Sequence, residues 1–219
     1  MKNIKLVIGD KNHSPWSMCP WLMLKMFNLD FEEINIKLFQ DNTAEKLGPY
    51  SPSLKVPVLI YEDFTVWDSL AICEFISENL LSGTGWPSTA QGKSNARSIS
   101  AEVHSGFPAL KREWPMNCAN NLSVLPSEAL EDEIARVDAI WSTYRQRYNG
   151  GGSYLFGTFS VVDSMFAATA VSFESYGAEL SKHAFDYMQT LVQNPFVNEW
   201  KILGRKEKEY LRIAYAQSA

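Results

Sequence analysis

An α/β domain followed by an all-helical domain is expected from this chain of 219 residues, on three grounds. An apolar run, a helix-like apolar stretch and an alternating run succeed one another within residues 4–38, the order of a β-α-β unit. A second set of short apolar runs and a capped helix pattern follows up to about residue 80. Beyond the linker SGTGWPSTAQG the strand-like alternation stops and only helical periodicity is left.

Residues 4–8 (IKLVI) read as a buried strand that exits at Gly9-Asp10. NHSPWS is then a loop, with Ser14-Pro15 suited to a helix start because Pro tolerates the first helical position. MCPWLMLKMF is apolar nearly all round, as suits a helix against a sheet, and Asn28 can end it in a left-handed cap. Residues 31–38 (FEEINIKL) alternate, giving a second strand parallel to the first through a right-handed crossover. A short helix is expected over Thr43–Leu47, ahead of the breaker Gly48-Pro49-Tyr50-Ser51-Pro52. VPVLIYEDFTVW reads as strands Val58–Tyr61 and Thr65–Trp67 turned at Glu62-Asp63, and Asp68-Ser69 caps a further helix. Helical patterns then cover Lys93–Asn117, Ser127–Tyr148, Val161–Tyr176 and Ala184–Gln193, before a tail rich in Lys, Glu and Tyr. Gly150-Gly151-Gly152 joins no strand to a helix, so it is a turn rather than a phosphate loop.

Bulk properties exclude several classes. A net charge of −5 leaves no global basic footprint for nucleic acid. No run of about 18 apolar residues is present, so no membrane span is expected. MKNIKLVIGD has no signal-like apolar core and reads as a strand. Cys19, Cys73 and Cys118 are an odd, widely spaced set, which suits reduced thiols in the cytoplasm. With three histidines and no close Cys/His pair, a metal site is not expected. Seven Trp, nine Tyr and twelve Phe suffice to fill a core and still line a cleft.

Three features of the first half carry chemistry together. Ser14 places a hydroxyl at a helix N-terminus, where unpaired N–H groups favour an anion. Val56-Pro57 opens a strand, and a cis bond there would expose the backbone of Val56 to a ligand. Asp68-Ser69 opens another helix, where a ligand carboxylate would meet Ser69 and an ammonium would meet Asp68. A ligand with a thiol, an extended peptide backbone and an amino-acid-like end satisfies all three, and glutathione is such a ligand.

The same order of elements, with V-P-V-L before the hairpin and D-S-L-A-I at the last helix, resembles the glutathione transferase superfamily. The resemblance implies a thioredoxin-like N-terminal domain over residues 1–82 and an all-helical domain over residues 90–219 that forms the pocket for an electrophile. SPWSMCPWLMLKMFNLDFEEINIKL is similar, without gaps, to the omega-class stretch in which Cys-Pro-Phe opens the first helix, and Ser14 then takes the catalytic position. The zeta class also carries serines here, and setting its Ser-Trp pair on Pro20-Trp21 puts Ser17 there instead. The gapless register is preferred because it keeps Asn28-Leu29 over the family's Gly-Ile. Lys55, Val56, Pro57, Asp68 and Ser69 are the implied glutathione contacts. Trp16, His104, Phe107 and Trp114 are candidates for the second-substrate pocket. Ser160-Val161-Val162-Asp163 is similar to the family's structural capping box.

The implied mechanism is thiolate activation. A thiol of pKa ~8.5 is a few per cent ionised near neutrality. Lowering it by about two units requires about 2.7 kcal/mol. A charge-assisted hydrogen bond supplies ~1.5–3 kcal/mol and a helix N-terminus ~0.3–1, so no metal or general base is needed. The pattern also departs from the family's. Asp68 is one carbon shorter than the usual Glu or Gln, and the usual Arg of the first helix is absent. Lys55 is either a carboxylate partner or simply solvated.

Blander readings stand beside these. Cys19 lies well inside its helix and reads as a buried hydrophobe. Ser14-Pro15-Trp16-Ser17 resembles a glutaredoxin site with both cysteines replaced, which argues against dithiol chemistry. His13 adjoins Ser14, but neighbouring residues rarely point the same way. His104 is either structural or faces the cleft. Asn121-Leu122-Ser123 matches a glycosylation sequon, without consequence in a cytosolic chain. The rivals to a transferase are a glutathione-dependent cis–trans isomerase and a non-catalytic interaction scaffold. A homodimer is implied by the resemblance alone.

Overall fold

In the computed structural model, which describes residues 3–118 and 122–207, the sheet is built from four short strands in the order β2-β1-β3-β4. β1 (Ile4–Ile8) pairs parallel with β2 (Glu32–Asn35) and antiparallel with β3 (Val58–Tyr61). β3 turns at Glu62 (φ 52°) into β4 (Phe64–Trp67) as a hairpin. The two faces follow the period of two. Ile4, Leu6 and Ile8 enter the main core, whereas Val7 joins Val58, Ile36 and Leu47 in a smaller core on the other face.

Helix α1 (Pro15–Met26) covers the sheet and is buried from Ser17 to Leu24, as its lack of a polar face requires. Asn28 follows it in the left-handed region (φ 53°). α2 (Thr43–Leu47) anchors Leu47 in the smaller core. α3 (Ser69–Phe75) begins behind β4 and continues as a π-type turn over Ile76–Leu80. The first strand–helix–strand unit is therefore parallel as expected, but β2 is shorter than residues 31–38. Leu38 N–H turns away from the ladder to the carboxylate of Asp10, at 2.7 Å.

The helical half consists, among the described residues, of α4 (Ala90–Ser105), α5 (Pro108–Glu113), α6 (Glu128–Tyr148), α7 (Val161–Tyr176), α8 (Lys182–Val192) and α9 (Pro195–Lys206). α7 is its axle, buried on every side and packed against α1, α4 and α8. One helix expected over Lys93–Asn117 is two. The chain breaks at Gly106-Phe107, with Phe107 at φ 55°, because Pro108 disfavours the helical region for the residue before it. α9 lies where only a tail was expected, and Asn194 caps it by accepting from Phe196 and Val197 N–H. Asn121 of the sequon and the tail beyond residue 207 lie outside the described residues.

Asp163 carries out the capping expected of it and more. Its carboxylate accepts from Ser160 N–H (2.8 Å), Ser160 Oγ (3.0 Å), Leu155 N–H (2.9 Å) and Tyr187 Oη (2.8 Å). The two halves are joined by α1 against α7 and α9. Trp21 meets Trp200 edge-on at 5.2 Å, and Lys25 pairs with Glu199 at 3.0 Å.

Candidate functional site

Strand direction gathers the candidate residues at one end of the sheet. Val7 lies opposite Val58, and Val58 opposite Trp67. The exit of β1 towards Ser14, the entry of β3 at Val56-Pro57 and the exit of β4 towards Asp68-Ser69 therefore share one edge. Gly9 makes this approach close. A Cβ there would lie 2.5 Å from Leu38 Cδ1 and 3.1 Å from Val56 Cγ2. The Val56–Pro57 bond is cis. Lys55 is exposed at its side chain, while Ser51 Oγ accepts from its N–H (3.1 Å) and donates to its carbonyl (2.7 Å).

The loop from Gly9 to Ser14 is held from both sides. Asp10 C=O accepts from the N–H groups of His13 (3.0 Å) and Ser14 (2.9 Å). Burial pushes the Asp10 carboxyl above its ordinary range. From the helical half, Trp200 Nε1 donates to Lys11 C=O at 2.7 Å, and Cys118 N–H donates to Asn12 Oδ1 at 2.7 Å. The buried Lys11 ammonium pairs with Glu33, which also accepts from Trp21 Nε1 at 2.8 Å.

Ser14 precedes α1 but does not cap it. Its Oγ lies 2.6 Å from Ser17 Oγ, and Ser17 Oγ in turn accepts from Gly9 N–H at 3.3 Å. The two serines are thus hydrogen-bonded to one another. Ser17 has no exposed surface and Ser14 retains 4%, so only Ser14 has a side open to a ligand. With Ser17 accepting from Gly9, its own proton is available to Ser14 Oγ, and the Ser14 proton is left to donate outward.

At the opposite wall, Ser69 is 2% exposed and its Oγ has no hydrogen-bond partner among the described residues. A buried hydroxyl left unpaired costs about 1–3 kcal/mol, which an incoming acceptor would recover. Asp68, at φ 76°, is fully engaged. Its Oδ1 accepts from Leu70 and Ala71 N–H at 3.0 and 3.2 Å, and Oδ2 lies 3.0 Å from His104 Nε2. An ammonium arriving at Asp68 has to share that second oxygen with His104.

A cavity of about 320 Å³ opens between the halves, lined by His13, Pro15 and Trp16 on one side, while Ser14 itself is not among the lining residues. Val103, Lys111, Trp114, Met116, Met165 and Thr169 line the other. Of the candidates for this pocket, Trp16 and Trp114 lie in the lining. His104 stands outside it, edge-on to Trp16 at 5.0 Å and paired to Asp68. Phe107 is buried in the core, turned there by its left-handed backbone. Burial pushes His13 below its ordinary value, so it is uncharged at neutral pH. Cys19 is wholly buried and its thiol pushed well up, so it offers no nucleophile.

Lys111, Met165 and Thr169 were not signalled as lining residues. The α7 positions 165, 168, 169 and 172 share a helical face, and Thr169 and Ser172, two of the small polar residues of that apolar helix, are the trace that pattern leaves. Lys111 sits in a polar stretch with nothing to distinguish it from Arg112. Among the described residues no three His, Cys, Asp or Glu side chains gather as a metal site, and no helix is long and apolar enough to cross a membrane.

Residues 13–79 match the family model described as glutathione S-transferase, N-terminal domain. A probable maleylacetoacetate isomerase of Caenorhabditis elegans is 31% identical over 114 residues, which are 50% of this chain and 51% of that protein. The maleylacetoacetate isomerase of Rattus norvegicus is 26% identical over 179 residues, 76% of this chain and 79% of that protein. The match thus spans about half the length of the nematode relative. Among solved structures, a glutathione transferase homologue from Burkholderia GL BGR1 with bound glutathione superposes with TM-score 0.69 at 23% identity, covering 94% of this chain and all of that one. A diazinon-metabolizing glutathione S-transferase of the silkworm Bombyx mori gives TM-score 0.70 at 19% identity, with 93% and 98% covered. Residues 13–79 are thus matched to a glutathione S-transferase N-terminal domain, and the likenesses to solved structures show the same fold, thioredoxin-like sheet and helical half, over nearly the whole chain.

Proposed function

We propose that the chain is a glutathione-dependent enzyme in which residues 1–82 bind glutathione and residues 90–219 complete a pocket for a small electrophile. Ser14 donates its hydroxyl hydrogen to the glutathione sulfur and holds it as the thiolate. The observation that carries this reading is the ordered run Gly9 N–H, Ser17 Oγ, Ser14 Oγ, which ends on a residue whose chain neighbours His13 and Pro15 line the cavity. Val56 stands beside Gly9 through its side chain, ahead of the cis bond to Pro57, and its backbone is the part proposed to meet the tripeptide, while the orphaned Ser69 hydroxyl suits a carboxylate of that ligand. In conjugation the thiolate sulfur bonds to the electrophilic carbon and the leaving group departs with its electron pair. Burial is favourable to the step, because a hydrogen bond to an anion is stronger away from bulk water.

A second reading is favoured by the named isomerases among the relatives. There the thiolate adds to a conjugated double bond, the electron pair moves onto the neighbouring carbonyl, the resulting single bond rotates, and the sulfur leaves again. Glutathione is regenerated and no group is transferred.

Calorimetric titration with glutathione, for the wild type and Ser69→Ala, tests the binding half of the proposal. Binding by the wild type and a loss of about tenfold in Ser69→Ala is expected, the value of one hydrogen bond to a charged group. Absence of binding by the wild type would leave the scaffold reading. Product analysis with a chlorodinitrobenzene and with a maleyl compound then separates conjugation from isomerisation.

A further inference from the structure

The polar inventory of the cavity points to the kind of second substrate it takes. Trp114 is stacked on Tyr176 at 5.2 Å, and its indole N–H is used on Val124 C=O at 3.1 Å, so it offers a fixed apolar face. Ser172 Oγ is used on Ala168 C=O at 3.1 Å. His13 is uncharged near neutrality. Lys111 is then the one formal charge in the lining, among the described residues. Its ammonium stands 5.1 Å from the centre of the Trp16 ring and donates to His104 C=O at 2.9 Å, and it has no carboxylate ion-pair partner among the described residues. The carboxylate nearest in effect is Glu133, and both of its oxygens are taken up by the N–H groups of Ala109 (3.1 Å) and Leu110 (2.7 Å) at the start of α5. Burial lowers the Lys111 pKa, the mark of a cation without a sufficient counter-charge.

An ammonium has three donors and one of them is used on a carbonyl. The remaining capacity lies in a slot lined mainly by apolar side chains, Trp16 and Trp114 among them, with His13, Thr169 and Ser172 as its other polar members. The slot, at about 320 Å³, is near the lower end of ligand pockets, which run from about 300 to 1,000 Å³.

We propose that Lys111 anchors the carboxylate of a small, flat, anionic electrophile in this cavity, so that the second-substrate class is carboxylate-bearing. The assignment rests on the glutathione-dependent reading for the word electrophile, but the anchor itself is testable without turnover. Trp16 lies under the anchored carboxylate and Trp114 beside the body of the ligand, which places the reactive carbon on the side of His13 and Ser14.

The test is quenching of tryptophan fluorescence by 3,5-dinitrobenzoate and by its neutral methyl ester, for the wild type, Lys111→Gln and Lys111→Arg. The wild type is expected to bind the acid about tenfold or more tighter than the ester, as one charge-assisted contact gives. Lys111→Gln brings the two ligands within about twofold of each other, and Lys111→Arg keeps the preference. Equal binding of acid and ester by the wild type, or an undiminished preference in Lys111→Gln, overturns the anchor. Should Lys111→Gln fail to fold, the wild-type comparison of acid with ester still decides. Calorimetry with glutathione on the same proteins separates the two claims. Lost glutathione binding with the acid preference intact refutes the glutathione reading and supports the anchor, whereas intact glutathione binding without the preference refutes the anchor alone.

Discussion

Ser14 and Ser17 act on each other at 2.6 Å, and that contact governs what single substitutions do. Ser17→Ala leaves Ser14 in place but removes the group that orients its proton. The thiolate of bound glutathione is then expected to weaken by about 1 kcal/mol, the worth of one neutral hydrogen bond, and the Ser14→Ala/Ser17→Ala double variant to be little worse than Ser14→Ala. A double-mutant cycle on thiolate pKa checks this. The spacing of three residues on a first helical turn is compatible with their contact, but the sequence read the two residues as alternatives and their contact was not drawn from it. Ser69 behaves differently. Its hydroxyl has no partner, so Ser69→Ala is expected to leave the thermal midpoint unchanged or slightly raised while weakening glutathione binding, read by melting and calorimetry together. Neither the orphaned Ser69 hydroxyl nor the lack of a carboxylate partner for Lys111 among the described residues was legible, because whether a polar group is satisfied depends on neighbours brought from other elements.

At the scale of the element, α7 shows how one buried carboxylate fixes a helix start and the strap before it. Asp163 accepts from four donors, so Asp163→Asn turns acceptors into a donor that none of them can meet. A loss of about 2–4 kcal/mol is expected by chemical denaturation. Burial raises this carboxyl to about 6 from an ordinary 3.8. The folded chain therefore holds that proton more tightly than the unfolded one. The resulting contribution to stability is fully present below about 3.8 and is lost as pH rises through about 6. The stability gap between the wild type and Asp163→Asn is expected to widen as pH is lowered from 7 towards 4, and denaturation across that range checks the sign. This helix was legible to the residue, since F-S-V-V-D is a local capping signal. The break between α4 and α5 was written in Gly106-Phe107-Pro108 as well, but apolar residues at helical spacing on both sides masked it.

The whole molecule joins the loop before Ser14 to the last described helix. Trp200 packs on Trp21, lies 5.2 Å from the Lys11 ammonium, and donates to Lys11 C=O. Trp200→Ala is expected to cost about 3–5 kcal/mol, whereas Trp200→Phe keeps most of the packing and forfeits the hydrogen bond. Both variants leave Lys11 C=O with only the weak Cys118 Sγ donor at 3.8 Å, so both are expected to weaken glutathione binding, and calorimetry beside denaturation separates that from simple loss of stability. The order of elements in the N-terminal half was legible because each is signalled within a few residues. The docking of α9 against α1 was not, since it joins positions as far apart as Lys25 and Glu199, separated by 174 residues, and leaves no local pattern.

The measurement that bears most directly on Ser14 is the absorbance titration of the glutathione thiolate bound to the wild type, Ser14→Ala and Ser17→Ala. A bound thiol is expected with its pKa lowered by about two units in the wild type, close to the free value of ~8.5 in Ser14→Ala, and between the two in Ser17→Ala. A thiolate of unchanged pKa in Ser14→Ala, with glutathione still bound, would contradict that expectation.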